Sequence, residues 1–186
     1  VPEAVAEAIP EIAEAVEAIV ETVRAGGRVF FLGAGTSGRL GVLEASEIPP
    51  TFGVPPDLFK AFVSGGTGGV FGSVGASEDD DTSGGKILVD HDFEEKDLLV
   101  AISASGRTPF ALGAMREARS LGARIVAITN NRGSEMGELA DVSIVVDTGP
   151  EVVSGSTRMK AGTSQKLVLN MLTTAAMTRL GRVHDG

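Results

Sequence analysis

Five short apolar runs, RVFFLG (28–33), LFKAFV (58–63), KDLLVAI (96–102), RIVAIT (124–129) and VSIVV (142–146), alternate along the chain with segments of helical periodicity. None of the five alternates polar with apolar residues, as a strand with one wet face would. Continuous apolar strands are covered on both sides, and a strand–helix rhythm built from them means a parallel sheet with helices on each face. The sequence therefore predicts an α/β fold: a doubly wound, three-layer αβα domain around a parallel sheet of five strands. Ligands of such sheets bind beyond the carboxyl ends of the strands.

The helices are read from spacing. PEIAEAVEAIVETVRAGG puts Ile12, Val16, Ile19, Val20 and Val23 on one face, with Pro10 in the first turn and Gly26 or Gly27 at the end. The residues before Pro10 read as a separate short helix or turn. GRLGVLEAS reads as a helix closed off by Pro49 and Pro50. PFALGAMREARSLG and SEMGELA are two more helices. RMKAGTSQKLVLNMLTTAAMTRLG is a long helix, apolar on nearly every side, which predicts burial under the sheet or in an oligomer interface. The glycine-rich stretch GGTGGVFGSVGASEDDDTSGG (65–85) has no clear assignment. One domain spanning 1–186 is expected, and a helix-like beginning at Val1 suggests a piece of a longer chain.

Charge and residue types narrow the function. A formal net charge of -9 argues against nucleic acid and anionic membrane as partners. Without cysteine there is no disulfide, zinc finger or thiol nucleophile. His91 and His184 have no carboxylates at ligand spacing, so no metal site is expected. No apolar run has the length that spans a bilayer, and no signal peptide is expected. A cytoplasmic setting is the expectation.

Three strand-to-helix loops share one chemistry. GAGTSGRLG follows the first strand, SASGRTP the third and GPEVVSGSTRMKAG the fifth. Each mixes glycine with Ser or Thr, and Arg39, Arg107, Arg158 and Lys160 stand nearby. Backbone N–H groups at a helix start, with hydroxyl donors beside them, cradle phosphate. Thr36, Ser37 and Gly38 belong to the first loop, and Ser103, Ser105, Gly106, Arg107 and Thr108 to the second. The bland alternative is that these residues only cap helices. GAGTSG also fits the dinucleotide pattern G-x-G-x-x-G, but the second strand runs into SGG rather than an acid, and Asp57 precedes that strand. Nicotinamide is not expected.

GAGTSGRLGVLEASEIPPTFGVPP, SASGRTP and GPEVVSGSTRMKAGTSQKLVLNML together resemble the N-acetylmuramic acid 6-phosphate etherases, enzymes of the sugar isomerase (SIS) fold. The resemblance runs over essentially the whole chain. It implies an SIS-type sheet and a carbon–oxygen lyase that works on a phosphorylated amino sugar without metal or redox cofactor. Such an enzyme releases D-lactate from C3 by C2 deprotonation, elimination and water addition, leaving N-acetylglucosamine 6-phosphate. It implies two catalytic glutamates, matching Glu47 in LEASEIPP and Glu78 in VGASEDD. Glu47 would protonate the departing lactate and Glu78 would take the C2 proton. Glu151, Ser156 and Lys160 are further candidate substrate contacts, with Glu151 alternatively a cap for the last helix. The resemblance also implies a homodimer with shared active sites. Two alternatives stay open: an aldose–ketose isomerase, which needs the same base at C2, and a sugar-phosphate-sensing regulator without chemistry.

Overall fold

The computed structural model describes residues 1–72 and 75–183. Its five strands are β1 (Val29–Gly33), β2 (Phe59–Val63), β3 (Leu98–Ser103), β4 (Arg124–Thr129) and β5 (Val142–Val145). They form one all-parallel sheet in the order β2-β1-β3-β4-β5. The expected doubly wound five-stranded sheet is thus found.

Successive residues of each strand face opposite layers. Phe31, Val100, Ile102, Val126 and Ile128 pack with α1 (Pro2–Glu7), α2 (Ile9–Arg24), α3 (Gly35–Phe52) and α9 (Lys160–Arg179). Phe30, Leu32, Leu99, Ala101, Ile125 and Ala127 pack with α6 (Asp81–Asp90), α7 (Pro109–Ser120) and α8 (Glu135–Leu139). Both layers are dry, which is why no strand alternates in polarity. Phe30 and Phe31 are fully buried on opposite faces, each side chain contributing about 1.5–3 kcal/mol by burial.

The glycine-rich stretch that resisted assignment becomes α4 (Gly66–Phe71), α5 (Gly75–Glu78) and α6. Of the segment VGASEDD, Val74 lies outside the described residues.

Two expectations are corrected. The helix after β1 does not stop at Pro49–Pro50 but runs on to Phe52, where Gly53 (φ 61°) closes it and donates its N–H to Pro49 O at 3.0 Å. Two prolines in a last turn forfeit two helical hydrogen bonds. Burial of Ile48 and packing of Phe52 against the core hold the turn in place. The long final helix is not apolar all round. Val168, Leu169, Leu172, Ala176 and Met177 face α2, α3 and the sheet, while Thr163, Leu167, Asn170 and Thr174 are exposed.

At the amino-terminal edge of the sheet, Asp97 is buried. Its carboxylate accepts from the Arg28 backbone N–H (2.7 Å), the Glu94 N–H (3.0 Å) and the Arg28 guanidinium (2.6 Å). The Arg28 guanidinium also reaches the carbonyls of His91 and Asp92. This ion pair fastens β1 to β3 at the end opposite the hydroxyl-rich loops.

Candidate active site

The strand order reverses between β1 and β3, so their following segments leave toward opposite faces and open a crevice at their carboxyl ends. A cavity of about 350 Å³ lies there. Thr36 and Ser37 line it from the first loop; Ser103, Ser105 and Thr108 from the second; Ser156, Thr157 and Arg158 from the third. The three loops thus share one edge and one cavity. Glu78 and Ser64 form part of the wall beyond β2.

The second loop is internally organised. Ser103 Oγ lies 2.8 Å from Thr108 Oγ1 and 3.3 Å from Ser105 Oγ, and it accepts the Gly106 N–H at 3.1 Å. Gly106 (φ 66°) takes the left-handed conformation, and a Cβ there would sit 2.5 Å from Ser134 Cβ, so only glycine fits. Its role is to shape the loop; it is not among the cavity-lining residues. Arg107 is exposed and also outside the lining. Gly38 packs against β1, where a Cβ would meet Gly33 O at 2.4 Å.

Ser37 is held by a buried relay that the sequence did not reveal. Its hydroxyl donates to Gln165 Oε1 (2.9 Å), Gln165 Nε2 to Asn130 Oδ1 (3.0 Å), and Asn130 Nδ2 to Val146 O and Ser164 Oγ (both 2.8 Å). The carbonyl at its end accepts only, which fixes the direction of every bond and commits the Ser37 proton to Gln165. α9 therefore ties together the ends of β1, β4 and β5. Glu44 adds a second tie between α3 and α9. This buried carboxylate accepts from Lys166 (3.2 Å), Asn170 (2.8 Å) and Thr173.

The two glutamates separate. Glu78, on α5, reaches the cavity: its Oε1 lies 3.2 Å from where a Cβ on Gly35 would be, over the start of α3. Gly35 has φ 51°, and its missing side chain leaves the carboxylate room. Glu47 is exposed on α3 and does not line this cavity. It stands twelve residues beyond Gly35, about 18 Å along the helix axis, too far to enter the cavity of its own chain.

Glu151 is not among the residues that line the first cavity. Its two carboxylate oxygens accept the Lys160 and Ala161 backbone N–H groups, both at 3.0 Å, and so cap α9. This is the capping contact that the sequence offered as one of its two readings. Glu151 faces a second cavity of about 560 Å³ beside the first, lined also by Asn130, Asn131, Asp147 and Thr157. The Ala161 N–H, then the Lys160 N–H, holds the Glu151 carboxyl below the usual carboxylate range. A depressed folded value means stabilisation that is present above the unfolded value and lost as pH falls through the folded one. Glu151→Gln is therefore expected to lower Tm at neutral pH, with the gap to the parent closing in acid; melting curves from pH 7 to 3 check this. Lys160 lines neither cavity, though its Nζ would come within 3.9 Å of a Cβ on Gly149.

Arg39 lines the first cavity, and its Nε and Nη2 donate to the carbonyls of Gly69, Val70 and Gly72, which fastens α4. Arg158 supplies the cation at the rim. Among the described residues no three His, Asp or Glu side chains converge as a metal set. Hydroxyls from three loops, the cations Arg39 and Arg158 and one carboxylate, Glu78, thus line one cavity. Among the described residues no helix is long and apolar enough to cross a membrane.

Comparison with known proteins agrees with this geometry. Sequence profiles of the SIS domain match residues 1–130 and 86–175. The N-acetylmuramic acid 6-phosphate etherase of Symbiobacterium thermophilum is 53% identical over 182 residues, covering 98% of this chain and 60% of that protein. That of Actinobacillus succinogenes is 52% identical, covering 100% of this chain and 61% of its own. The chain thus spans about three fifths of the length of the curated relatives it matches. Among solved structures, a phosphoheptose isomerase from Francisella tularensis superposes with a TM-score of 0.74 at 23% identity, covering 95% of this chain and 92% of that one. A second phosphoheptose isomerase, from Neisseria gonorrhoeae, gives 0.70 at 18% identity over 93% and 89%. These two similarities speak to the fold alone.

Proposed function

The chain belongs to the SIS domain family, and from that premise we propose that residues 1–186 are the single sugar-phosphate domain of a cytoplasmic N-acetylmuramic acid 6-phosphate etherase. One observation carries the reading: the Glu78 carboxylate enters the same cavity as the three hydroxyl-rich loops. An isolated anion cradle would suit a sensor. A cradle with a base beside it suits proton abstraction next to a carbonyl, and relatives at about half identity bear the etherase name.

In this mechanism the phosphate sits among the backbone N–H groups of the first two loops, the hydroxyls of Ser103, Ser105, Thr108 and Ser156, and Arg158. The open-chain aldehyde makes the C2 proton acidic. Glu78 removes it, the C2–H electron pair becomes the C2–C3 double bond, and the C3–O bond breaks. An acid protonates the departing lactate oxygen. Water then adds at C3 and C2 recovers a proton, giving N-acetylglucosamine 6-phosphate and D-lactate.

Glu47 is the acid of this reading, and its place on α3 requires that it act in the cavity of a partner subunit. A two-fold homodimer supplies that geometry twice. Exposed Leu43 on the same helix, with Leu167 on α9 and Val152 and Val153 at the cavity rim, are apolar groups for such a contact. The test is D-lactate release by Glu47→Gln and Glu78→Gln chains, alone and after mixed refolding. Each alone is expected to be inactive. The mixture should regain about a quarter of the parent rate, the share of intact sites after random pairing. No recovery would refute the shared site, and aldose–ketose conversion without lactate would replace the lyase by an isomerase.

A further inference from the structure

The wall of the cavity beyond β2 holds a residue with no assigned role. Ser64 follows the last residue of β2, as Thr36 and Ser37 follow β1, and it lines the cavity. It is only 3% exposed, and among the described residues its Oγ is the one buried side-chain oxygen or nitrogen without a hydrogen-bond partner. A buried hydroxyl left in that state is costly, and native structures keep few of them.

The backbone around this hydroxyl is fixed. The Ser64 N–H donates to Gly33 O at 3.1 Å, and α4 packs so tightly on its carbonyl that a Cβ on Gly69 would lie 1.9 Å from Ser64 O. A turn about χ1 is the freedom that remains. The strand register pairs Val63 with Gly33 and Gly33 with Ile102. Ser64 therefore stands two strands from Ser103, about 10 Å away.

That separation divides the cavity into two ends. Hydroxyl donors, helix N-termini and Arg158 gather at the β1–β3 end, which suits the phosphate. At the other end stands Ser64, about 10 Å from the second loop. Arg39 also lines this part of the wall, its Nε and Nη2 donating to the carbonyls of Gly69, Val70 and Gly72. A ligand whose phosphate lies at the second loop reaches Ser64 only with its sugar, and the group that meets the unpartnered hydroxyl must be able to form a hydrogen bond.

We propose that Ser64 is a substrate-contacting residue whose hydroxyl bonds a neutral sugar oxygen at the end of the ligand remote from phosphate, and so selects a phosphorylated sugar over phosphate alone. This rests on the sugar-phosphate reading of the cavity. The test is calorimetric binding of N-acetylglucosamine 6-phosphate and of inorganic phosphate to the parent and to Ser64→Ala. Alanine removes an unpartnered oxygen, so the variant should fold with an unchanged or higher Tm. Sugar phosphate should bind it roughly tenfold more weakly, with phosphate affinity unchanged. Equal sugar-phosphate affinity in both proteins, or an equal loss for both ligands, would overturn the role of Ser64 while leaving the cavity's function intact. A parent that binds neither ligand would instead overturn the reading of the cavity, and this proposal with it.

Discussion

Glutamine in place of Glu78 is expected to slow D-lactate release from N-acetylmuramic acid 6-phosphate by about 10²- to 10⁴-fold, the range that a positioned general base contributes. The amide has the shape of the carboxylate but cannot take a proton. Binding of N-acetylglucosamine 6-phosphate should survive, because the hydroxyls of the second and third loops and Arg158, which hold the phosphate in the proposed reading, are left intact. The loss should fall on kcat rather than KM. The carboxylate's packing over Gly35 makes the amide a close fit, so a folding defect is not expected. Steady-state kinetics with calorimetric binding of the product checks both halves. Retained turnover would remove Glu78 from the chemistry, and lost binding would make it a ligand contact instead.

Asp97→Ala is expected to have its effect on stability alone. The substitution strips a buried carboxylate from two backbone N–H groups and a guanidinium. Breaking a buried pair on one side costs about 3 kcal/mol or more, which for a chain of this size lowers Tm by about 6–12 °C. The pair lies at the opposite end of the strands from the cavity, so the folded variant should bind sugar phosphate as the parent does. Denaturant midpoints, with binding measured well below the transition, separate the two effects. An unchanged midpoint would show the Arg28–Asp97 pair to be energetically neutral.

The layers were legible because the pattern that forms them is local. Continuous apolar strands can only be parallel and covered, and α2, α7 and α9 announce themselves by spacing. The cavity was legible for a related reason: a strand end followed by glycine and hydroxyls marks the position where ligand meets sheet. What stayed hidden depends on contacts between distant residues. Ser37 and Gln165 are 128 positions apart, and nothing near either shows that they meet. Pro49 and Pro50 mislead because a last turn can forgo its hydrogen bonds when Ile48 is buried. The glycine-rich helices between β2 and β3 have low propensity and form through packing on α7 and β2. Ser64 could have been found, since FVSGG puts a serine just past a strand, as AISAS does.

The clasp that Glu151 makes on the first turn of α9 has a consequence for recognition. A loop fastened at both ends has fewer conformations to surrender when a ligand arrives. The segment 151–161, which carries Ser156, Thr157 and Arg158, is such a loop, buckled by one carboxylate to two amides. Its ordering is settled when the chain folds, so under the proposed function these three residues would meet a sugar phosphate preorganised. The same buckle holds Val152 and Val153 outward at the rim, where the single chain leaves them exposed.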